Sequence, residues 1–185
     1  YPLISTDTET PIFAHNGSWL AWLGGLYDEV GYIQQSVTVP GNAPYLHYWH
    51  WIASEDDCGY DFGGVGVDGF WLYQYDLCAN SATGGWVEVA VDMSFYAGQS
   101  IDLAMVAVTD SSLNSNLFID DLSFQASAAV AAAEPSRIEG SDPTASRVDG
   151  PVTPPAKNEQ AENTGGTPER YAQPTEAELN KAETR

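Results

Sequence analysis

The segment from Tyr45 to Asp61, with the sequence YLHYWHWIASEDDCGYD, restricts the fold more than any other part of the chain. Its first half is an unbroken run of aromatic and aliphatic residues without Gly or Pro, which predicts a β-strand. Alternation along a strand divides this run into two faces, with Leu46, Tyr48, His50 and Ile52 on one and His47, Trp49 and Trp51 on the other. The first face suits a core. The second is also aromatic, which predicts either another packed layer or a contact surface.

An acidic loop follows this strand and contains Glu55, Asp56, Asp57 and Asp61, with Cys58 among them. Four carboxylates within seven residues repel each other unless water, a metal ion or a partner screens them. The loop lacks the ligand spacing of an EF-hand. Two interpretations follow from the sequence, a solvated run of charges and a calcium site that uses these four side chains.

Short β-segments recur along the first 124 residues and are separated by Gly, Pro, Asn and Asp. Strands are predicted at residues 18–23, 31–39, 45–53, 65–77, 86–94, 101–109 and 117–124, and no helix is predicted before residue 125. Seven short strands with turn signals between them predict an all-β fold, an antiparallel β-sandwich.

Charge and composition divide the chain into a domain, residues 1–125, and a tail, residues 126–185. All six Lys and Arg lie after residue 124, whereas the first 124 residues carry sixteen Asp and Glu. An acidic domain without cations disfavours nucleic acid and anionic membrane surfaces as partners. The sequence also has no apolar run of about 18 residues that would insert into a membrane. It contains no GxSxG, HExxH or glycine-rich phosphate motif, so we expect a protein that is not an enzyme.

Cys58 and Cys78 lie at predicted strand ends, twenty residues apart. They are predicted to form a disulfide, which indicates an extracellular or cell-surface protein, and a buried pair of free thiols is the alternative. Asn16, in the sequence Asn16-Gly17-Ser18, fits an N-glycosylation sequon.

The order of several short motifs resembles a known family of modules. The first half contains Gly17-Ser18, Ala21-Trp22-Leu23-Gly24-Gly25, Ile33-Gln34-Gln35, Val39-Pro40 and Leu46-His47-Tyr48-Trp49. The second half contains Gly59-Tyr60-Asp61-Phe62, Val91-Asp92-Met93-Ser94, Tyr96-Ala97-Gly98-Gln99 and Phe118-Ile119-Asp120-Asp121-Leu122. This order resembles the jelly-roll modules of secreted bacterial proteins, namely the MAM-like, immune-inhibitor-A-type C-terminal domain and related carbohydrate-binding jelly rolls. The resemblance covers residues 12 to 124 and implies a non-catalytic accessory module with a structural calcium ion.

The last predicted strand adds a physical reason to expect calcium. Strict alternation places Asp120 with Phe118, and Asp121 with Ile119, so one Asp would share the core face whichever face is buried. A buried carboxylate needs a cation or several hydrogen-bond donors, and Ca²⁺ binds oxygen ligands. The resemblance implies that Asp120 is a ligand and that Asp7 or Glu9 closes the site. In the alternative, Asp120 caps backbone N–H groups at a strand end.

Two classes of function remain open. In the first, carbohydrate stacks on aromatic rings, for which the candidates are Trp49, Trp51, Trp71, Tyr73 and Tyr75. His15, His47 and His50 are expected to pack rather than to bind a metal. In the second, the chain is a structural subunit of an extracellular filament or surface layer, a homo-oligomer in which the tail binds neighbouring copies. The tail offers almost nothing to bury, so it is predicted to be extended and largely irregular.

Overall fold

Alternating apolar residues produce nine β-strands in the part of the chain that the computed structural model describes, residues 2–129. These strands are β1 (Ile4–Thr6), β2 (Trp19–Gly24), β3 (Val30–Thr38), β4 (Tyr45–Ser54), β5 (Phe62–Val67), β6 (Phe70–Asp76), β7 (Val87–Asp92), β8 (Ser100–Val108) and β9 (Ser115–Gln125). Two short 3-10 turns, Ala79–Ser81 and Ser94–Tyr96, complete the secondary structure of this range. Within residues 2–129, no helix has the length and apolar character needed to cross a membrane.

The strands pair like one long hairpin that has been rolled up. Strand β2 pairs with β9, β3 with β8, β4 with β7 and β5 with β6, all antiparallel. Additional pairing of β4 with β9 and of β5 with β8 forms two sheets. Their strand orders are β1-β2-β9-β4-β7 and β3-β8-β5-β6. This topology is a jelly roll, so the predicted antiparallel β-sandwich is confirmed.

The main core lies between the two sheets. Leu46, Tyr48 and Ile52 of β4 are buried in it, as the alternation of this strand predicts. They meet side chains such as Val65 and Met105 from the four-stranded sheet. Complete burial of an apolar side chain of this size contributes about 1.5 to 3 kcal/mol, so this interface is the main source of stability.

Two predictions about strand boundaries are wrong. The predicted strand 65–77 is two strands, because Asp68 and Gly69 form a two-residue turn between β5 and β6. Both residues have positive φ, 51° and 85°, as the tight turn of a hairpin requires. The prediction also omits β1, a strand of three residues at the edge of the five-stranded sheet.

The alternation predicted for the last strand is also wrong. Leu117 and Ile119 face the core, but the register of β9 against β4 shifts between His47 and Trp49, so that two residues of β9 lie opposite Tyr48. This β-bulge contains Asp121, which has a φ of 49° and is exposed. Because the bulge resets the alternation, neither Asp120 nor Asp121 shares the core face.

Candidate metal centre

Three aspartates from two loops meet at one end of the sandwich. Asp56 lies two residues after β4, Asp61 lies directly before β5, and Asp110 lies two residues after β8. Phe62 of β5 pairs with Val108 of β8, so the antiparallel register brings Asp61 and Asp110 to the same edge. The nearest carboxylate oxygens of the three side chains all lie within 4.8 Å of one another. We call this group the aspartate cluster.

Two members of the aspartate cluster are buried with oxygens that lack partners. Asp61 is 0% exposed and Asp56 is 3% exposed. One oxygen of each accepts a backbone N–H, from Asp110 to Asp61 Oδ1 and from Asp57 to Asp56 Oδ1, both at 2.7 Å. The second oxygen of each, Oδ2, is buried without a hydrogen-bond partner among residues 2–129. A buried, unpaired carboxylate oxygen is costly, which indicates that something else pairs with these two.

Electrostatics within the cluster are unfavourable without a cation. Burial raises the pKa of Asp61, and repulsion by Asp56 and Asp110 raises it further, although the hydrogen bond from the Asp110 N–H opposes this shift. The described residues include no Lys or Arg, because the first is Arg137. A bound cation would therefore supply the positive charge that this part of the chain does not contain.

The donor set fits a hard divalent cation. Every side-chain donor is a carboxylate oxygen, which suits Ca²⁺ or Mg²⁺ better than Zn²⁺. Ca²⁺ binds oxygen at about 2.3 to 2.6 Å, so ligands on opposite sides of the ion lie about 4.6 to 5.2 Å apart. The spread of 4.8 Å among the three carboxylates is therefore compatible with one shared Ca²⁺ ion.

A disulfide holds the loop that carries Asp56 and Asp61. Cys58 and Cys78 are bonded, as predicted, with their Cα atoms 4.9 Å apart. Two backbone hydrogen bonds reinforce this link, from the Leu77 N–H to the Asp61 carbonyl and from the Ala79 N–H to the Asp56 carbonyl, both 2.8 Å. The loop before β5 is thus clamped to the end of β6, which fixes two of the three carboxylates.

The sequence predicts part of this cluster. Asp56 and Asp61 belong to the predicted acidic loop site, whereas the other two members of that prediction, Glu55 and Asp57, are exposed and lie outside the cluster. Asp110 was not predicted, because its proximity depends on the pairing of β5 with β8. The sequence signal available for it was an Asp directly after a predicted strand.

The structure places Asp120 among backbone donors. Its Oδ2 accepts the N–H groups of His15 and Asn16 at 2.9 and 3.2 Å, and its Oδ1 accepts the Asp121 N–H at 2.8 Å. Glu9 hydrogen-bonds to Thr6 instead, and no cluster of three potential metal ligands among the described residues includes Asp7, Glu9 or Asp120. This arrangement matches the capping alternative, and calcium at Asp120 stays a prediction.

The five aromatic residues predicted to bind carbohydrate do not form one surface. Trp49 and Trp51 lie on the outer face of the five-stranded sheet, where the ring of His15 stacks on Trp49 with centroids 3.9 Å apart. Tyr73 and Tyr75 pack against the main core, and Trp71 packs on Ala104 and Val106 on the other side of the four-stranded sheet. Trp51 also lines a cleft on this face.

The predicted packing role of the histidines agrees with their contacts. His47 is 1% exposed and lies 2.8 Å from Glu88, whereas His50, on the opposite face of β4, lies 3.2 Å from the Tyr75 hydroxyl. Asn16, the glycosylation candidate, is exposed beside Gly17 in the loop before β2.

Comparison of the chain with protein-family models, with curated proteins and with solved structures finds no match. The jelly-roll topology therefore stands on the strand pairing described above, and the resemblance to MAM-like and immune-inhibitor-A-type modules stays a prediction from the sequence motifs.

Proposed function

We propose that this chain is a non-catalytic, extracellular jelly-roll module that binds a surface ligand such as carbohydrate and is stabilised by Ca²⁺ at Asp56, Asp61 and Asp110. The observation that carries the calcium proposal is the pair of buried carboxylate oxygens, on Asp56 and Asp61, without partners among residues 2–129. The disulfide between Cys58 and Cys78 is compatible with an extracellular location.

Calcium would stabilise the module by removing the repulsion within the aspartate cluster. The ion binds the folded arrangement and has no equivalent site in the unfolded chain, so it shifts the equilibrium towards the folded state. At a calcium concentration of about 100 times the dissociation constant, this stabilisation is about 2.7 kcal/mol. The loops that carry the three carboxylates would thereby be held in one conformation.

The test is a thermal melt of the full-length chain, first with a chelator and then with increasing CaCl₂, supported by titration calorimetry. We expect the melting temperature to rise with calcium and to saturate. In Asp61→Asn this rise is lost, but the chelated variant is at least as stable as the chelated wild type, because one buried charge has been removed. Asp57→Asn, in the same loop but exposed, is the control and retains the rise.

A second variant separates the two possible calcium sites. If Ca²⁺ binds the aspartate cluster, Asp120→Asn keeps the calcium-dependent rise in melting temperature. If the rise disappears in Asp120→Asn and persists in Asp61→Asn, the ion binds at Asp120 and not at the aspartate cluster. A melting temperature that is identical in chelator and in saturating CaCl₂ would refute the calcium proposal for both sites.

A further inference from the structure

A cleft opens on the outer face of the five-stranded sheet beside the aspartate cluster. It has a volume of about 450 Å³, and its lining includes Trp51, Glu55, Gly84, Asn114 and Asn116. Trp51 and Asn116 lie on adjacent strands, since Trp51 pairs with Phe118 of β9 two residues from Asn116. Glu55 directly precedes Asp56 of the cluster, so the cleft and the candidate metal centre share one loop. We call it the Trp51 cleft.

Hydrogen bonds within the protein fix the turn that forms one wall of the Trp51 cleft. The Thr83 N–H donates to the Ile52 carbonyl at 3.1 Å, and the Ile52 N–H donates to the Thr83 hydroxyl at 3.1 Å. This reciprocal pair holds the turn against β4. Gly84, at the tip of this turn, has a φ of 64°, and a Cβ built on it would meet nothing within 4 Å. The wall is therefore rigid at its base and open at its tip.

The opposite wall is held by side-chain amides. Asn116 Nδ2 donates to the Ala53 carbonyl at 3.2 Å and to Asn114 Oδ1 at 2.5 Å. Asn114 Nδ2 donates to the Gly25 carbonyl at 3.0 Å, and the Glu55 N–H donates to the Asn114 carbonyl at 3.0 Å. Both amide groups are thus oriented before any ligand arrives, which lowers the entropy cost of binding.

The groups that remain for a ligand are mostly acceptors. Both N–H groups of the Asn116 amide and one N–H of the Asn114 amide donate within the protein, whereas each amide oxygen accepts one bond and keeps a second lone pair. The Glu55 carboxylate is exposed at the mouth and accepts no hydrogen bond among residues 2–129, and it carries a negative charge. The spare acceptors and the negative charge of Glu55 therefore favour a ligand that donates hydrogen bonds and is not an anion.

The Trp51 ring adds a flat apolar surface to these acceptors. Trp86 packs edge-on against it, with ring centroids 6.2 Å apart, and the Trp86 indole N–H is fixed by the Phe13 carbonyl at 3.0 Å. Trp51 is half-buried, so part of its ring remains accessible in the cleft. Flat aromatic faces suit pyranose rings, which present apolar C–H faces with hydroxyl donors at their edges.

We infer that the Trp51 cleft is a binding site for a neutral saccharide, which stacks on Trp51 and donates hydroxyl hydrogen bonds to Glu55 and to the amide oxygens of Asn114 and Asn116. This inference deepens the proposed function, on which it rests for the non-catalytic binding role, by assigning the ligand class and the residues. The calcium ion itself makes none of the proposed contacts with the saccharide.

The test is affinity electrophoresis of the full-length chain in native gels that contain single polysaccharides, with neutral glucans, xylans, mannans and galactans and an anionic polygalacturonate. We expect retardation by at least one neutral polysaccharide and none by the anionic one. Trp51→Ala should raise the dissociation constant obtained from the retardation about tenfold, and Glu55→Gln should raise it about threefold. Trp19→Ala is the control, because Trp19 lies on the same sheet, is 59% exposed and does not line the cleft.

Melting curves of all three variants accompany the gels, and Trp51→Phe provides a variant that keeps an aromatic ring. If Trp51→Ala does not fold, Glu55→Gln and Trp51→Phe still report on the cleft. The inference fails if no neutral polysaccharide retards the chain, if only the anionic one does so, or if Trp51→Ala and Trp19→Ala weaken retardation equally. All gels contain saturating CaCl₂, so the saccharide inference is tested by retardation alone, whereas the calcium proposal is tested separately by the thermal melts.

Discussion

At the scale of single residues, His50 is a buried ionisable group whose neighbours carry no charge. His50 is 7% exposed, and burial lowers its pKa to about 4. Its neighbours are tyrosines, Tyr75 at 3.2 Å from Nδ1 and Tyr48 in an edge-on ring contact, and neither offers a negative charge near neutral pH. Protonation of this imidazole is therefore unfavourable in the folded state.

This buried histidine predicts a loss of stability in acid. Because the folded-state pKa, about 4, is below the unfolded value near 6.5, the unfolded chain binds more protons between these two pH values. The contribution of His50 is complete above about pH 6.5 and falls by about 3 kcal/mol as the pH is lowered to about 4. Chemical denaturation of the wild type and of His50→Gln across this range measures it.

The difference between the two denaturation series isolates the histidine, since carboxylates titrate in both proteins. The wild type should lose more stability than His50→Gln between pH 6.5 and 4. Parallel curves would show that the histidine is protonated equally in the folded and unfolded states. All samples contain the same concentration of CaCl₂, so that any effect of the ion is common to both proteins.

At the scale of the strands, close backbone approach makes one glycine indispensable in β5. Gly64 has a φ of 152°, and a Cβ built there would lie 2.0 Å from the Tyr73 carbonyl oxygen of β6. That oxygen belongs to the sheet backbone and has no room to move without breaking the β5–β6 pairing. A side chain at this position is therefore incompatible with the hairpin.

Gly64→Ala should destabilise the domain by about 3 kcal/mol or more, because both the left-handed φ and the clash oppose the folded state. Gly98→Ala is the matched control, since Gly98 has a φ of 77° but its Cβ would meet nothing within 4 Å. Only the left-handed conformation is penalised there, at about 1 to 2 kcal/mol. Urea denaturation of both variants tests the ranking, and equal losses would contradict the steric explanation.

Local patterns predicted the strands well because one face of each sheet is buried. The apolar faces of β4 and β7 alternate as the sequence indicates, and Leu46, Tyr48, Val89 and Val91 all pack into the core. The turn at Asp68 carried an Asp-Gly signal that would have divided the predicted strand 65–77. The bulge at Asp121 had no comparable signal, because an Asp in the left-handed region looks like any other residue in sequence.

The sequence predicts Asp56 and Asp61 of the candidate metal centre, but not Asp110. Asp56 and Asp61 are close in sequence, so their clustering follows from a single loop. Asp110 joins them through the pairing of β5 with β8, which brings together segments separated by 49 residues. Pairing across such distances depends on the global topology, and local composition does not determine it.

At the scale of the whole molecule, the chain beyond the last strand, β9, still contacts the sandwich. His47 lies 2.8 Å from Glu88 through Nδ1, and its Nε2 donates to the Ser127 carbonyl at 2.7 Å. Because His47 is 1% exposed, that carbonyl satisfies a buried donor. This hydrogen bond holds Ser127, two residues beyond the end of β9 at Gln125, against the outer face of the five-stranded sheet.

This contact predicts where the chain can be shortened without loss of stability. A chain that ends at residue 133 keeps Ser127 and should melt like the full-length protein. A chain that ends at residue 125 leaves the buried Nε2–H of His47 without its acceptor, which costs about 1 to 3 kcal/mol. Melting curves of the three chains check this, and equal melting temperatures for the two truncations would show that water replaces Ser127.

The same truncations test whether the predicted tail ties copies of the chain together. The tail beyond residue 129 lies outside the described residues, and it contains all six Lys and Arg, whereas the sandwich has none. Carboxylates on one copy and guanidinium groups on another are complementary, so the tail is expected to bind neighbouring sandwiches. Sedimentation should then show larger species for the full chain than for the chain ending at residue 133, with the difference declining as salt screens the charges. Equal sedimentation at low salt would instead show that the tail plays no part in assembly.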